Sequence, residues 1–413
     1  MPARTAPPKD PVWIEHDGDR ILAERGEPLA VALLAADRVL LARSPKLHRP
    51  RGPYCLRGAC DGCLARVDGQ PNVMTCMREA HGGEQIETQN VIGSRGVDLM
   101  EATDYLFPRG IDHHKLFAGV RGVSSLVQSF ARRVAGLGKL PDAVVDPQSS
   151  SPLRVDVLIV GSGRAGLAVA AGLGSYRVML VDDWIALGGN LALRDPSALD
   201  AALSGIENTQ ALPATTIVSL SREPGPGIAA LCVDASGARL VLPRVVVLAT
   251  GCHDHIPAFG ENDLPGLFSA RAALKLQHAG VHLGKRVALV GEGLAADALA
   301  QTPDSEFLRF SEAEVVRCSG RGRVRALVHL DGQRERRVSV DCVVSEGPGA
   351  PAFELAAQAG AKVRHTSAGF VPVCDASGQV APGVFAAGSV IQNAVTSAQV
   401  ATAVRQVLAS VLE

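Results

Sequence analysis

The sequence has no long apolar run: its longest stretches, such as Leu29 to Ala36 and Val245 to Ala249, fall far short of the ~18 residues of a membrane span. No transmembrane segment is expected. It also has no charge surplus, since 41 Lys plus Arg meet 42 Asp plus Glu for a formal charge of −1. Without a basic excess there is no field to grip a phosphate backbone, so nucleic acid is not expected as a partner. The start, Met1 to Pro11, has no apolar h-region, which argues against a secretory signal and makes the cytoplasm the expected location. No C-x-x-C occurs beyond residue 76, and no serine elbow or paired-carboxylate arrangement is visible. Dithiol, acyl-transfer and glycosidic chemistry therefore have no sequence support, no catalytic residue is assigned, and electron movement is the remaining expectation.

What is present is a globular balance, 47% hydrophobic and 20% charged over 413 residues, enough for two to four domains at roughly 100 to 200 residues each. Four of the nine cysteines crowd together as Cys55-x4-Cys60-x2-Cys63-x12-Cys76. C-x4-C-x2-C with a distant fourth Cys is the plant-type ligand spacing for a [2Fe-2S] cluster, and Gly58 and Gly62 let the loop bend round it. Zinc is the rival, but structural zinc draws its ligands as C-x2-C-like pairs and Cys55 to Cys60 is too wide for one. Arg49, Arg51 and Arg57 stand near enough to raise the potential of a negatively charged cluster, or to be ordinary surface charges.

Val155 to Val160 is a strand run that leads into Gly161-Ser-Gly163-Arg-Ala-Gly166 and an Ala-rich helix. Strand, G-x-G-x-x-G, helix is the context of a dinucleotide site: the first glycine turns, the second admits the pyrophosphate, the third lets helix and strand pack closely. The next strand, Val178 to Val181, ends in Asp182, about 20 residues on, where an acid binds a ribose hydroxyl. The fingerprint alone leaves FAD and NAD both open. A second strand, Arg286 to Val290, meets Gly291-Glu-Gly293-Leu-Ala-Ala296, with Glu312 at the same offset. Pro303 cuts the following helix short, and strand-like runs from Val315 and Arg323 leave no room for another. NAD(P) is one reading of this site, and a structural remnant or a differently bound nucleotide is the other.

The expected architecture is α/β: a β-grasp ferredoxin-like module (residues 1–90), a connector and linker (91–152), a two-dinucleotide-domain, Rossmann-like flavoprotein beginning at 153–284, a shortened NAD(P)-binding-like domain (285–378), and a return to the first fold (379–413). A helical pattern at Val120 to Leu137 and the pair His113 and His114, given no catalytic role, fall in the connector. Cys252-His-Asp-His255 reads as a solvated loop.

The order of cluster module, connector and dinucleotide fold, with Ser44-Pro-Lys-Leu-His-Arg-Pro-Arg51 just before Cys55, resembles the α-subunits of heterotetrameric sarcosine oxidase. It also resembles the FAD-bearing subunits of hydrogen cyanide synthase and opine oxidases, over nearly the whole chain. Gly188 and Gly189, the turn with Thr250 and Gly251, and Gly388 and Ser389 resemble the remaining FAD contacts of two-dinucleotide-fold flavoproteins, which favours FAD. The resemblance implies a carboxylate after the last glycine, and Ser389 departs from it. It also implies that a final helix, roughly Thr396 to Leu412, points its N-terminus at the flavin. In those complexes an amino-acid-oxidase-like β-subunit oxidises the amine and electrons pass through the α-type cofactors to an external acceptor. The folate domain of sarcosine oxidase and the C-terminal cysteine-rich segment of the opine and cyanide enzymes have no counterpart in this sequence, so folate chemistry is not expected. The function expected is that of an FAD and [2Fe-2S] electron-transfer subunit of a heteromeric sarcosine-, proline- or opine-type oxidoreductase. The alternatives are a self-sufficient NAD(P)H:acceptor reductase, whose flavin NADH or NADPH alone would bleach, and a non-catalytic nucleotide-binding scaffold, whose flavin nothing would bleach.

Overall fold

The computed structural model describes residues 2–44, 47–91, 93–94, 97–98, 151–222, 227–234, 236–303 and 305–412. The expected helix at 120–137, His113 and His114, and the linker up to residue 150 lie outside the described residues.

The first module is a five-stranded mixed sheet. Strands β1 (Pro11–His16) and β2 (Asp19–Glu24) form a hairpin, and β1 alternates exposed and buried residues as a strand with one core face must. Helix α1 (Leu29–Ala35) starts behind Pro28, whose fixed φ suits an entry turn, and its side chains Leu29 to Leu34 are buried. Strands β3 (Leu64–Val67), β4 (Gln70–Met74) and β5 (Gln85–Glu87) complete the sheet in the order β2-β1-β5-β3-β4, with β5 parallel to β1. This mixed sheet with one helix is the ferredoxin-like arrangement expected from the cysteine spacing. The segment Cys55 to Cys63 is the loop leading into β3.

The first dinucleotide fold opens with β6 (Leu153–Val160), α2 (Arg164–Ala171) and β7 (Val178–Val181). Strand β8 (Gln210–Leu212) extends it, and β9 (Thr216–Arg222), β10 (Ile228–Asp234) and β11 (Gly237–Leu248) form an antiparallel meander. Strand β11 serves two masters. Its first half pairs antiparallel with β10, and its second half, Val245 to Leu248, lies parallel to β6. The second half of β6, Val157 to Val160, and all of β7 are apolar runs buried on both faces, as parallel strands under helices are.

A second parallel sheet orders Leu267–Ser269, Cys342–Glu346, Arg286–Gly291 and Glu306–Phe310 side by side. It is made of β12 (Leu267–Ser269) followed by α3 (Ala270–His278), β13 (Arg286–Gly291) followed by α4 (Leu294–Leu299), and β14 (Glu306–Phe310). Strands β15 (Val315–Ser319), β16 (Ala326–Asp331) and β17 (Arg334–Ser339) form a three-stranded antiparallel sheet, and β18 (Cys342–Glu346) returns to the parallel one. The fold is therefore shortened as expected, with a meander in place of further helix and strand. The chain then re-enters the first fold through β19 (Val384–Ala386), parallel to β11, and α5 (Ser397–Leu412).

Two compact units result. One joins the described residues of Met1–Val145 to Ile256–Gly347, and the other joins Asp146–His255 to Pro348–Glu413. The crossings fall earlier than residues 285 and 379 because β12 and α3 pack with the second sheet, whereas the pair Val363–Thr366 and Gly369–Pro372 belongs with the first fold. Among the described residues no helix is long and apolar enough to cross a membrane.

Candidate functional site

In the first unit, Cys55, Cys63 and Cys76 are buried and Cys60 is half-buried. They form two close pairs. The Cys55 thiol hydrogen-bonds Cys60, and that bond, together with N–H groups including that of Gly62, lowers the Cys60 thiol. Cys63 is likewise lowered by its bond with Cys76. In each pair the donor thiol is pushed up by that bond and by burial. The loop surrounds the sulfurs with backbone donors: Gly58 N–H lies 3.3 Å from Cys76 Sγ, and the N–H groups of Arg57 and Ala59 point at Cys55. Thr75 ties the two segments together, its hydroxyl donating to the Cys63 carbonyl at 2.8 Å. The loop also passes so close to neighbouring backbone that a Cβ at Gly62 would lie 2.2 Å from the Gly52 carbonyl oxygen.

No group of three or more His, Cys, Asp or Glu among the described residues gathers round one point as a single ion would need. Two thiol pairs with N–H donors directed at them would fit a [2Fe-2S] cluster, held by Cys55, Cys60, Cys63 and Cys76. Neighbouring elements of the same unit hold the loop in place: Tyr54 Oη lies 3.0 Å from Ser345 Oγ, Ser269 N–H donates to the Tyr54 carbonyl at 3.0 Å, and Lys275 Nζ donates to the Leu56 carbonyl at 3.0 Å. Arg49 and Arg51 turn elsewhere. Arg49 makes a fork to Asp263 (Nε to Oδ2 and Nη2 to Oδ1, both 2.7 Å) and reaches Glu261 at 2.8 Å, while Arg51 meets Asp263 at 2.7 Å. Two positive charges thus face two negative ones, which removes these arginines as uncompensated cations beside the cluster.

The second unit gathers the candidate flavin residues at one edge. The register aligns Val160 with Val181 and Leu248, and Leu248 with Ala386. The carboxyl ends of β6, β7, β11 and β19 therefore lie side by side, and the residues that follow them, Gly161, Asp182, Thr250 and Gly251, and Gly388 and Ser389, share that edge. This is where open parallel sheets bind nucleotides. Gly161 has φ +101°, and a Cβ there would lie 2.3 Å from the Ala249 carbonyl oxygen; one at Gly166 would lie 1.8 Å from the Gly161 oxygen. A Cβ at Gly163 would meet only open space, and no side chain caps α2 there. Its first N–H groups are left for an anion. Gly189 approaches Gly163, Gly188 N–H donates to Ser162 Oγ at 3.0 Å, and Gly388 abuts Ala165 in the first turn of α2.

Asp182 is turned further inward than the sequence suggests. Its Oδ2 accepts from Ser162 N–H (2.7 Å) and hydroxyl (2.6 Å), and its Oδ1 accepts from Trp184 N–H at 3.0 Å. A carboxylate has about four lone-pair sites, so a ribose hydroxyl would share Oδ1. The Thr250 hydroxyl donates to the Ala352 carbonyl at 2.8 Å and so braces the turn, leaving its backbone at the edge. Ser389 is exposed and lies near Gly251, where a Cβ would sit 3.7 Å from its Oγ. Cys252, dismissed in sequence as loop, points its thiol at the Ser389 carbonyl (3.4 Å), and His253 Nε2 lies 2.9 Å from Glu354 Oε1. At the head of α5, Thr396 and Gln399 cap each other, with Thr396 N–H donating to Gln399 Oε1 at 3.0 Å and Gln399 N–H to Thr396 Oγ1 at 3.3 Å. In the first unit Glu312 accepts from Ala258 N–H at 2.8 Å, so this acid holds a loop.

Residues 9–91 match the family model of a 2Fe-2S iron-sulfur cluster binding domain. The chain is 28% identical over 412 residues to sarcosine oxidase subunit alpha of Rhizobium meliloti (strain 1021), covering 85% of this chain and 41% of that protein. It is 28% identical over 300 residues to the same subunit of Corynebacterium sp. (strain P-1), covering 66% of this chain and 27% of that protein. It thus spans less than half the length of the curated relatives it matches. Its fold is similar to the crystal structure of L-proline dehydrogenase from P. horikoshii, with a TM-score of 0.73 at 22% identity over 99% of this chain and 75% of that one. These likenesses bear out the resemblance drawn from the order of the segments, and with it the α/β architecture of a cluster module joined to a flavoprotein dinucleotide fold.

Proposed function

We propose that this chain, a relative of the sarcosine oxidase α-subunits, is the electron-transfer subunit of a heteromeric flavin oxidoreductase that acts on a secondary amine or amino acid of the sarcosine, proline or opine type. Cys55, Cys60, Cys63 and Cys76 would hold a [2Fe-2S] cluster. Gly161, Gly163, Gly166, Asp182, Gly188, Gly189, Thr250, Gly251, Gly388 and Ser389 would surround FAD. The observation that carries this reading is the pair of thiol pairs wrapped by backbone N–H groups, on a chain whose second unit presents an uncapped G-x-G-x-x-G turn at the carboxyl edge of a parallel sheet.

FAD, when bound, takes up two electrons and a [2Fe-2S] cluster carries them one at a time. The chain's own residues do the positioning. The first turn of α2 offers N–H donors to the pyrophosphate, Asp182 orients the Gly161–Gly163 turn through Ser162, and the dipole of α5 favours negative charge at its head. Around the cluster, N–H groups directed at sulfur stabilise the thiolates. A partner subunit of the amino-acid-oxidase kind would supply the amine site.

The test is anaerobic purification of the chain with its native partner, with absorbance and EPR spectra before and after sarcosine, proline, opines or glycine. Flavin bleaching with a reduced-cluster EPR signal is expected for at least one of them. A complex that every candidate amine leaves oxidised would refute the function while leaving the cofactors in place.

A further inference from the structure

The second dinucleotide-like fold bears the sequence mark of an NAD(P) site, and its residues do not fit one. In the register of the parallel sheet Gly291 lies beside Glu346, the last residue of β18. The Glu346 side chain folds over the glycine turn. Its Oε2 accepts from Ala296 N–H at 2.6 Å, and its Oε1 lies 3.3 Å from Ala295 N. A Cβ on Gly293 would lie 2.2 Å from the Glu346 carboxyl carbon. Gly293 is the second glycine of the motif, the one whose bareness lets a pyrophosphate approach the backbone. Here the carboxyl group stands on that spot and takes the N–H groups that the phosphates would need.

Charge adds to the obstruction. Glu292 is exposed within the turn, whereas Asp297 in the first turn of α4 is paired to Arg309 at 2.9 Å and adds no net charge. A dinucleotide would bring two further negative charges to a place that already holds Glu346, where the repulsion is felt at short range. We infer that Glu346 is a built-in anion occupying the pyrophosphate place of the second fold, and that it closes this fold to NADH and NADPH. The same contact gives α4 the capping partner its glycine turn lacks, which accounts for a short helix persisting without a side-chain cap of its own.

The inference goes beyond the proposed electron-transfer role and is tested without it, because binding is read directly from dinucleotide fluorescence whether or not any flavin is reduced. Flavin-loaded wild-type protein, Glu346→Ala and Glu346→Gln are titrated with NADH and NADPH. Wild type is expected to show no saturable binding up to about 1 mM, and Glu346→Ala to bind at least roughly tenfold more tightly, about 1.4 kcal/mol. Glu346→Gln keeps an acceptor for Ala296 N–H and loses the charge, so its gain should be smaller but measurable. Saturable wild-type binding below about 1 mM would overturn the inference. So would a Glu346→Ala protein with unchanged thermal midpoint and flavin content that binds no better than wild type. Should Glu346→Ala lose its fold, Glu346→Gln decides: a gain supports the inference and no gain overturns it.

Discussion

Replacing Asp263 by Asn tests whether the cluster module is bolted to the second fold by charge. Asp263 receives three hydrogen bonds of 2.7 Å, two from Arg49 and one from Arg51. Burial alone would raise its carboxyl, but the two guanidinium groups hold it below the usual carboxylate range. Asparagine preserves shape and one acceptor oxygen, removes the charge, and turns an amide N–H₂ toward a guanidinium. One to two charge-assisted bonds are lost. At full burial each would be worth about 1.5–3 kcal/mol. The side chains of Asp263 and Arg49 are 25% and 37% exposed, so solvent screening brings the total to about 1–3 kcal/mol. With a urea slope of about 2 kcal/mol per molar, the midpoint of cluster bleaching in holoprotein should fall by roughly 1 M. The sign with pH follows from the depressed pKa. The contribution of Asp263 is fully present above the unfolded carboxyl value of about 3.9 and is lost only as pH falls through the folded value. The difference between wild type and variant should therefore be flat from pH 8 to pH 5. Asp331→Asn, which breaks an exposed pair with Arg336, is the control and should melt like wild type. A Asp263→Asn midpoint equal to that control, or a penalty that fades between pH 7 and pH 5, would refute the reasoning.

Cys63→Ala removes one member of a buried thiol pair, and reduced protein should lose the rhombic EPR signal of a [2Fe-2S] cluster; a signal of wild-type intensity would exclude Cys63 as a ligand. Gly166→Ala places a methyl group 1.8 Å from the Gly161 carbonyl oxygen, so purified protein should have lost its flavin absorbance while the cluster spectrum from the other unit persists. Lys275→Met removes an ammonium that donates to the Leu56 carbonyl, next to Cys55. It should lower the cluster midpoint potential by on the order of 50 mV, with Lys275→Arg close to wild type. Equal potentials in the three proteins would show that Lys275 acts on the loop without tuning it.

The parts of this molecule that were legible in the sequence are those where neighbours along the chain are also neighbours in space. The cysteine spacing and the glycine turn after β6 are local motifs, and a strand, a turn and a helix follow from period and composition within about 20 residues. The hairpin of β1 and β2 and the helix α1 were visible for the same reason. What could not be read was which distant side chain answers a local motif. Arg49 and Arg51 looked like candidates for raising a cluster potential because Asp263 and Glu261 are far along the chain. Asp182 looked like a free ribose acceptor because nothing in the spacing shows Ser162 reaching back to it at 2.6 Å. Cys252 gave no signal, since its proximity to Ser389 depends on the chain returning through β19.

The second fold illustrates how far a motif can be retained after its ligand chemistry has changed. Gly291 still turns the chain and α4 still starts there, but the carboxylate of Glu346 supplies the negative charge that the turn is built to receive. Meanwhile other residues of that fold face the first module: Ser269 N–H, Ser345 and Lys275 all hold the segment Tyr54–Leu56, and Asp263 and Glu261 hold Arg49. The Glu346 carboxylate satisfies N–H groups of its own glycine turn, so that turn needs no nucleotide to complete it. Removing the contacts to the segment Tyr54–Leu56 should therefore disturb the cluster, whereas adding NADH should not, and the Lys275 and Glu346 variants separate these two consequences experimentally.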